Sequence, residues 1–280
     1  MPVIDTKTSA VIGHPISQSL SPVIHNHWFE NSDVDGFYCA IDVDPADLGM
    51  FLENAKQSGL KGFNVTIPHK TNIIPFLDRL APIARQMGAV NTVKIMEDGS
   101  TVGFNTDGIG LITHLKKSVP DWPKDKPALV IGAGGAARAA VLGLLNENIP
   151  MVMLTNRTRE KAETIRDELG RGRITVVEWD DRSAAASAAG LVVNTTSLGM
   201  IGQPTLDISL ESAASDTVVY DIVFKPLETN LLKTARERRL RTVDGLGMLV
   251  YQAAASFKIW FEKEVSYDDA LHSKLMEKLS

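Results

Sequence analysis

Lys70 and Asp107 are the two side chains whose surroundings best suit proton transfer. Lys70 closes the run Asn64-Val-Thr66-Ile-Pro68-His69-Lys70, directly after an apolar stretch that reads as a strand. A hydroxyl and an amine therefore stand at a strand's end. Asp107 lies in Asn105-Thr106-Asp107-Gly108, a carboxylate ahead of a helix. Ala89-Val-Asn91-Thr92 adds an amide, and Ser17-Gln-Ser19-Leu-Ser21-Pro22 offers hydroxyls at alternate positions before a helix start. Each has a plainer explanation when taken alone: Lys70 as a surface lysine, Asp107 as a helix cap, Ser21 as an N-cap. Together they make an acid/base pair ringed by Ser, Thr and Asn donors, which is what reduction of a carbonyl on a polyhydroxylated substrate requires.

A second chemistry is written in Val130-Ile-Gly132-Ala133-Gly134-Gly135-Ala136-Ala137, which fits the dinucleotide pattern G-x-G-x-x-A between a strand and a helix. Gly132 would allow the tight turn out of the strand, Gly134 a close backbone approach to a pyrophosphate, and Ala137 tight helix–strand packing. The helix N-terminus would add partial positive charge. A bare turn explains the glycines equally well until the next strand is read. An NAD enzyme places Asp or Glu at that strand's end to hold the ribose 2′-hydroxyl. Here the end reads Asn156-Arg157-Thr158, and a guanidinium pairs with a 2′-phosphate that an acid would repel. NADP is therefore the expected cofactor.

The remaining polar residues point to no further chemistry. The six histidines, His14, His25, His27, His69, His114 and His272, show no metal-ligand spacing, and no metal is expected. Ser197 lacks the G-x-S-x-G context of a hydrolase nucleophile. The sole cysteine, Cys39, reads as buried in a strand rather than reactive, and the methionines read as core filling.

The elements that must position these residues alternate between short apolar strands and amphipathic helices, the pattern of an α/β fold with mostly parallel sheets. Strands are expected at 9–13, 37–43, 61–66, 128–131, 151–155, 191–194 and 218–221. Segments 90–95 and 101–104 flank Asp98-Gly99 as a hairpin. Helices are expected at 22–31, 45–58, 108–118, 135–146, 159–170, 228–238, 245–262 and 267–278. Residues 119–127, with three prolines and four charges, read as a surface connection between domains. The length of 280 residues suggests two domains, and 44% hydrophobic with 22% charged residues excludes wholesale disorder. A net charge of −5 argues against nucleic acid as a partner. Segment 128–145 is too short and too broken by glycines and Arg138 to cross a bilayer. Residues 1–9 carry Asp5 and Lys7 and no apolar core, so no signal peptide is expected. With one cysteine and no membrane segment, a reducing, cytoplasmic setting is expected.

In this order the motifs resemble shikimate dehydrogenase, of the shikimate/quinate dehydrogenase family, across essentially the whole chain. The matching segments are Ser19-Leu-Ser21-Pro22, Asn64 to Lys70, Gly88-Ala-Val-Asn91-Thr92, Gly103 to Gly108, Gly132 to Ala136, Asn156-Arg-Thr158, Asn194-Thr-Thr-Ser197-Leu-Gly-Met200 and Asp244-Gly-Leu-Gly-Met248-Leu-Val-Tyr-Gln252. The resemblance implies an N-terminal α/β substrate domain over 1–107, a doubly wound Rossmann-type NADP domain over 108–244, and C-terminal helices over 245–280 that return to the first domain. It implies reversible NADPH-dependent reduction of 3-dehydroshikimate to shikimate, an oxidoreductase step of chorismate and aromatic amino acid biosynthesis. Ser19 and Ser21 would hold the substrate carboxylate, and Thr66, Asn91, Asp107 and Gln252 its hydroxyls. Lys70 would be the general acid/base, paired with Asp107. Gly132, Ala133, Gly134, Gly135 and Ala136 would hold the pyrophosphate, and Asn156, Arg157, Thr158 and Lys161 the 2′-phosphate end. Thr195, Ser197, Ile222 and Gly245 would lie on the nicotinamide side.

Two positions depart from the family pattern. Phe224 stands where the family places a tyrosine that reaches the substrate, and Pro82 stands where an acidic residue touches cofactor. Two other readings stay open: a quinate or quinate/shikimate dehydrogenase, and a non-catalytic NADP or shikimate sensor on the same fold. The partner is a small-molecule substrate, with no nucleic acid and no membrane, and monomer and homodimer both stand.

Overall fold

The computed structural model describes residues 7–170 and 172–279; the stretch read for a leader lies outside them as far as residue 6. The chain divides into two compact units, one running up to Thr106 and resuming at Gln252, the other Asp107–Tyr251.

The first unit opens with β1 (Lys7–Gly13), α1 (Ser21–Glu30), β2 (Gly36–Asp42), α2 (Leu48–Gln57), β3 (Gly62–Val65) and α3 (His69–Asn72). It continues with β4 (Arg79–Leu80), α4 (Pro82–Met87), β5 (Thr92–Ile95) and β6 (Thr101–Phe104). Its six strands lie in the order β2-β1-β3-β5-β6-β4. β1 runs parallel to β2 and β3, while β5 runs antiparallel to both β3 and β6. Three of the five pairings in this sheet are parallel, as expected, and the Asp98-Gly99 turn folds β6 back on β5 as the expected hairpin. Leu48 and Leu52 of α2 pack on Ile12, Phe63 and Val65 from the strands.

The second unit holds α5 (Asp107–Ser118), β7 (Ala128–Ile131), α6 (Gly135–Asn146), β8 (Val152–Thr155), α7 (Arg159–Leu169), β9 (Ile174–Val177) and α8 (Arg182–Ala188). β10 (Leu191–Asn194), β11 (Val218–Asp221), α9 (Asn230–Glu237) and β12 (Arg241–Val243) follow, and then α10 (Leu246–Phe261), whose Gln252 begins the return to the first unit. α11 (Asp269–Leu279) ends the chain. The second sheet is parallel throughout, in the order β12-β11-β10-β7-β8-β9. That order reverses direction between β7 and β10, the switch point of a doubly wound sheet, and ligands bind there beyond the carboxyl ends of the strands. Strands β7, β10 and β11 are buried at every residue, as parallel strands covered on both faces must be.

Several expectations need correction. Residues 119–127 do not join the two units but lie within the second. Val119 and Trp122 turn inward and are buried. The lysines pair outward instead, Lys124 with Glu147 at 2.7 Å and Lys126 with Asp216 at 2.6 Å. Ser21 is not the N-cap of α1: Leu20 holds that position, and Ser21 is the first helical residue. Its own N–H is met by Ser19 Oγ at 3.3 Å. Cys39 is half-buried on the edge strand β2. Met50, Met200 and Met276 are exposed rather than core-filling, whereas Met87 is buried.

The returning helices complete the first unit. Phe257 packs at 5.2 Å from Phe29 and 5.7 Å from Trp28, between ring centroids. Trp260 Nε1 donates to Val93 O at 2.9 Å. Ahead of α11, Ser266 O accepts from Trp28 Nε1 at 2.8 Å, and Asp268 stands 3.1 Å from His27.

Candidate active site

The polar residues of the first unit gather at one end of the antiparallel β5. Its N-terminal end lies beside the C-terminal end of β3, with Asn64 opposite Thr92, so Asn91 emerges next to Thr66. β6 ends on the same side, with Phe104 opposite Thr92, and delivers Asn105 and Thr106 to that end. Asp107, buried, is the next residue in the chain and the first of α5. Lys70 lies in α3, whose short turn is pinned twice: Val90 N–H donates to Lys70 O at 2.8 Å, and the His69 ring bonds Val43 O at 2.7 Å. Thr66 is held through its backbone, its N–H donating to Ile12 O at 2.9 Å. Ser19 and Ser21 flank the entrance to α1, Ser19 half-buried and Ser21 buried.

Of the residues expected to bind the hydroxyls, the first unit brings Asn91 and Gln252 into direct contact, Asn91 Nδ2 to Gln252 Oε1 at 3.3 Å. Behind them lies a polar group that sequence reasoning did not assign to the site. Tyr38 Oη donates to Asn64 Oδ1 at 2.7 Å. Asn64 Nδ2 reaches Asn91 O at 3.0 Å, Thr92 Oγ1 at 3.1 Å and Ser256 Oγ at 3.0 Å. Thr106 N–H donates to Asn91 Oδ1 at 2.9 Å. Asn64 and Thr92 fall inside quoted motifs, and that was the available signal. Tyr38 and Ser256 carry none.

In the second unit the glycine loop follows β7, and α6 begins at Gly135 with Gly134 as N-cap. Gly132 has φ +115°, and a Cβ there would stand 2.6 Å from Thr195 Oγ1, so the first loop glycine and the turn after β10 meet only because no side chain intervenes. Thr195 Oγ1 also donates to Ile131 O at 2.7 Å. Around Gly134 and Gly135 there is open space: a Cβ on either would meet nothing within 4 Å. The first turn of α6 carries no acidic residue. Unpaired first-turn N–H groups facing open space at a switch point suit a pyrophosphate.

At the end of β8, Asn156 Nδ2 donates to Thr158 O at 2.8 Å, while Arg157, Thr158 and Lys161 are exposed. The neighbouring Arg159 is engaged with Glu163 and Glu178. Beyond β11, Ile222 and Gly245 lie back to back: a Cβ on Gly245 would stand 2.1 Å from Ile222 O. Ser197 is exposed, Phe224 is half-buried, and Pro82 is the first residue of α4.

A buried carboxylate underlies this side. Asp221 accepts from Asn194 Nδ2 at 3.0 Å, Val223 N–H at 3.1 Å and Thr229 Oγ1 at 2.7 Å. Burial pushes its carboxyl up to about 6 against these three donors. Asn194 spends its other amide hydrogen on Leu198 O, and its oxygen accepts from Thr196 N–H and Oγ1. The turn after β10 is thus tied to β11 through one acid. Among the described residues no group of three His, Cys, Asp or Glu could hold a metal ion, and no helix is long and apolar enough to cross a membrane.

Comparison with known proteins agrees with this geometry unit by unit. Residues 11–93 match the shikimate dehydrogenase substrate binding domain, 114–246 the shikimate / quinate 5-dehydrogenase domain, and 245–271 the shikimate 5′-dehydrogenase C-terminal domain. The chain is 44% identical over 280 residues to the shikimate dehydrogenase (NADP(+)) of Methylobacterium radiotolerans, covering 99% of each chain. A crystal structure of a shikimate dehydrogenase in complex with NADP+ superposes with a TM-score of 0.89 at 37% identity, over 100% of this chain and 98% of that one. The quinate dehydrogenase of Corynebacterium glutamicum, in complex with NAD, superposes with a TM-score of 0.89 at 28% identity, over 97% and 99%. With all three domain models matched in chain order and near full-length identity of this size, the chain belongs to the shikimate dehydrogenase family.

Proposed function

We propose that the chain is an NADP-dependent shikimate dehydrogenase that interconverts 3-dehydroshikimate and shikimate, with Lys70 as general acid/base and Asp107 as its partner. The observation that carries the assignment of roles is the gathering at the ends of β3 and β5 of Thr66, Lys70, Asn91 and Gln252, with Asp107 next along the chain from Thr106.

NADPH, when bound, supplies the hydride that reduces the 3-keto carbon. In that direction Lys70 donates a proton to the carbonyl oxygen as it gains charge. In the reverse direction Lys70 accepts the proton of the 3-hydroxyl. Asp107 holds the lysine and a substrate hydroxyl in register. Asn91, Gln252 and Thr66 bind the ring hydroxyls, and Ser19 and Ser21 receive the carboxylate through neutral hydroxyls. The α6 N-terminus and loop 132–136 hold the pyrophosphate, Asn156, Arg157, Thr158 and Lys161 the 2′-phosphate, and Thr195, Ser197, Ile222 and Gly245 the nicotinamide side. The open space over Gly134 and Gly135 and the absence of an acid at 156–158 support this fit. The lone cysteine supports a cytoplasmic setting. Monomer and homodimer are both compatible with the chemistry.

Phe224, which offers no hydroxyl, favours a second reading in which quinate is also oxidised. Initial rates with shikimate and quinate, each with NADP+ and NAD+, separate the two. Turnover confined to shikimate with NADP+ is expected; a preference for quinate or NAD+ overturns that specificity. In Lys70→Ala, kcat should fall roughly 100-fold or more, the usual worth of a positioned acid/base, while NADP+ affinity stays unchanged. A folded wild-type protein that binds NADP+ but turns over neither substrate would instead be a sensor.

A further inference from the structure

Ser256 sits one turn beyond Gln252 on α10 and is completely buried, among Ala253, Phe257 and Trp260. A hydroxyl so placed is costly unless it is hydrogen-bonded. Its oxygen lies 2.7 Å from Thr92 Oγ1, 3.0 Å from Asn64 Nδ2, 3.1 Å from Gln252 O and 3.4 Å from Thr106 Oγ1. It is therefore the point where β3, β5, the end of β6 and α10 meet.

Resting on the reading of Asn91 and Gln252 as substrate-binding, we infer that Ser256 is a positioning residue that holds the orientation of the Asn91 amide and, through it, the Asn91–Gln252 pair that meets the substrate.

The polarity follows from counting donors and acceptors. Thr106 N–H needs an acceptor and finds Asn91 Oδ1 at 2.9 Å. Thr92 Oγ1 donates to the same oxygen, also at 2.9 Å. Asn91 Nδ2 is thereby turned toward Thr106 Oγ1 at 2.9 Å and Gln252 Oε1 at 3.3 Å. Thr92 has one hydrogen and spends it on Asn91 Oδ1, while its lone pairs face Asn64 Nδ2 and Ser256 Oγ, whose own hydrogen lies between Thr92 Oγ1 and Gln252 O. Asn64 is itself fixed by Tyr38, whose phenol donates to Asn64 Oδ1 at 2.7 Å. Burial holds that phenol well above its usual range, so it stays a donor. Tyr38 is stacked on His25 with centroids 4.1 Å apart and cannot swing away. The chain of bonds thus runs one way, from Tyr38 through Asn64 and the Thr92–Ser256 pair to Asn91. Without the Ser256 hydroxyl, Thr92 is free to turn, and the Asn91 amide oxygen is held by Thr106 alone.

Steady-state kinetics of Ser256→Ala and of Tyr38→Phe, each alone and combined with Asn91→Ala, test this. Ser256→Ala should raise the shikimate KM about 5- to 30-fold, the worth of one or two buried hydrogen bonds, with kcat and the NADP+ KM within about twofold of wild type. Tyr38→Phe should shift the same KM in the same direction by about threefold or more, and it carries the test if Ser256→Ala does not fold. In an Asn91→Ala background Ser256→Ala should add less than about twofold, because the group it positions is gone. An unchanged shikimate KM, a loss confined to kcat, or equal effects in both backgrounds overturns the inference. If Asn91→Ala itself leaves the shikimate KM unchanged, or the wild type does not oxidise shikimate, the reading of the site fails and takes this inference with it. If both of those controls behave and Ser256→Ala is silent, only the role of Ser256 is lost.

Discussion

Arg157 stands exposed after β8 with Thr158 beside it and Lys161 one helical turn on, and no acid occupies 156–158. A guanidinium there gains from a 2′-phosphate and from nothing else on the adenosine ribose. Arg157→Ala should therefore raise the NADP+ KM about 10-fold or more, the worth of a charge-assisted hydrogen bond, and leave the NAD+ KM within about twofold, as read from initial rates with each cofactor. The role proposed for Arg157 rests on its place after a glycine motif at the expected distance, where an NAD site would demand an acid. Lys70, Asn91 and Gln252 were proposed for a similar reason, each being a polar side chain at a strand end or inside an ordered motif, and the structure places Asn91 against Gln252. Ser256 and Tyr38 were not legible. A serine on an apolar helix face looks like a tolerated small residue, and a tyrosine in a strand looks like core. Their meaning exists only once Ser256 has come back across 192 positions to Asn64 and Tyr38 across 26. Ser21 was misjudged at the same scale, because its hydroxyl seemed needed as a cap when Ser19 meets the Ser21 N–H instead.

Among the elements, the buried strands read most plainly. β7 is apolar throughout, and β10 and β11 are apolar until their last residues, Asn194 and Asp221, since a parallel strand covered on both faces has no polar side to show. The strands that escaped notice, β4, β9 and β12, all lie at sheet edges. Two of them carry arginine, Arg79 opposite Val102 and Arg241 opposite Val218, and their strand state comes from pairing rather than from their own residues. The C-terminal ends of β10 and β11 are joined through Asp221, and this junction has a pH signature. Its carboxyl lies at about 6 in the folded chain against an ordinary value of 3.8, so the folded state holds its proton more tightly than the unfolded state does. The stability this lends is complete below about pH 4 and is lost as pH rises through 6, a swing of about 3 kcal/mol. Relative to Asp221→Asn, the wild type should therefore lose stability between pH 4 and pH 7, as measured by urea midpoints. A difference that is flat in pH would mean that burial is not felt by this carboxyl.

For the molecule as a whole, His25 acts in the opposite sense. It lies among Tyr38, Trp28, Trp260 and Phe257, and burial pushes its ring down to about 3 from 6.5. The unfolded chain takes up this proton first, so stability is complete above pH 6.5 and falls by about 3 kcal/mol by pH 4. His25→Leu should remove that acid sensitivity, again read from urea midpoints. The wild-type curve should be flatter over pH 4–6 than that of either variant, because Asp221 and His25 offset one another there. Two-unit organisation was readable from length and from the switch of motifs, yet residues 119–127 misled: their prolines and charges look like a connector, while Val119 and Trp122 anchor them inside one unit. The first unit is also split in sequence, and its sheet is covered by Ser256, Phe257 and Trp260 from the far end of the chain. As the polypeptide leaves the ribosome, residues 7–106 must wait unfinished for nearly the entire synthesis. The uninterrupted 107–251 segment meets all its own partners first, so the usual N-terminal-first order of maturation is reversed. A chain truncated and released at residue 251 should already resist protease across the later segment while its first hundred residues are still digested.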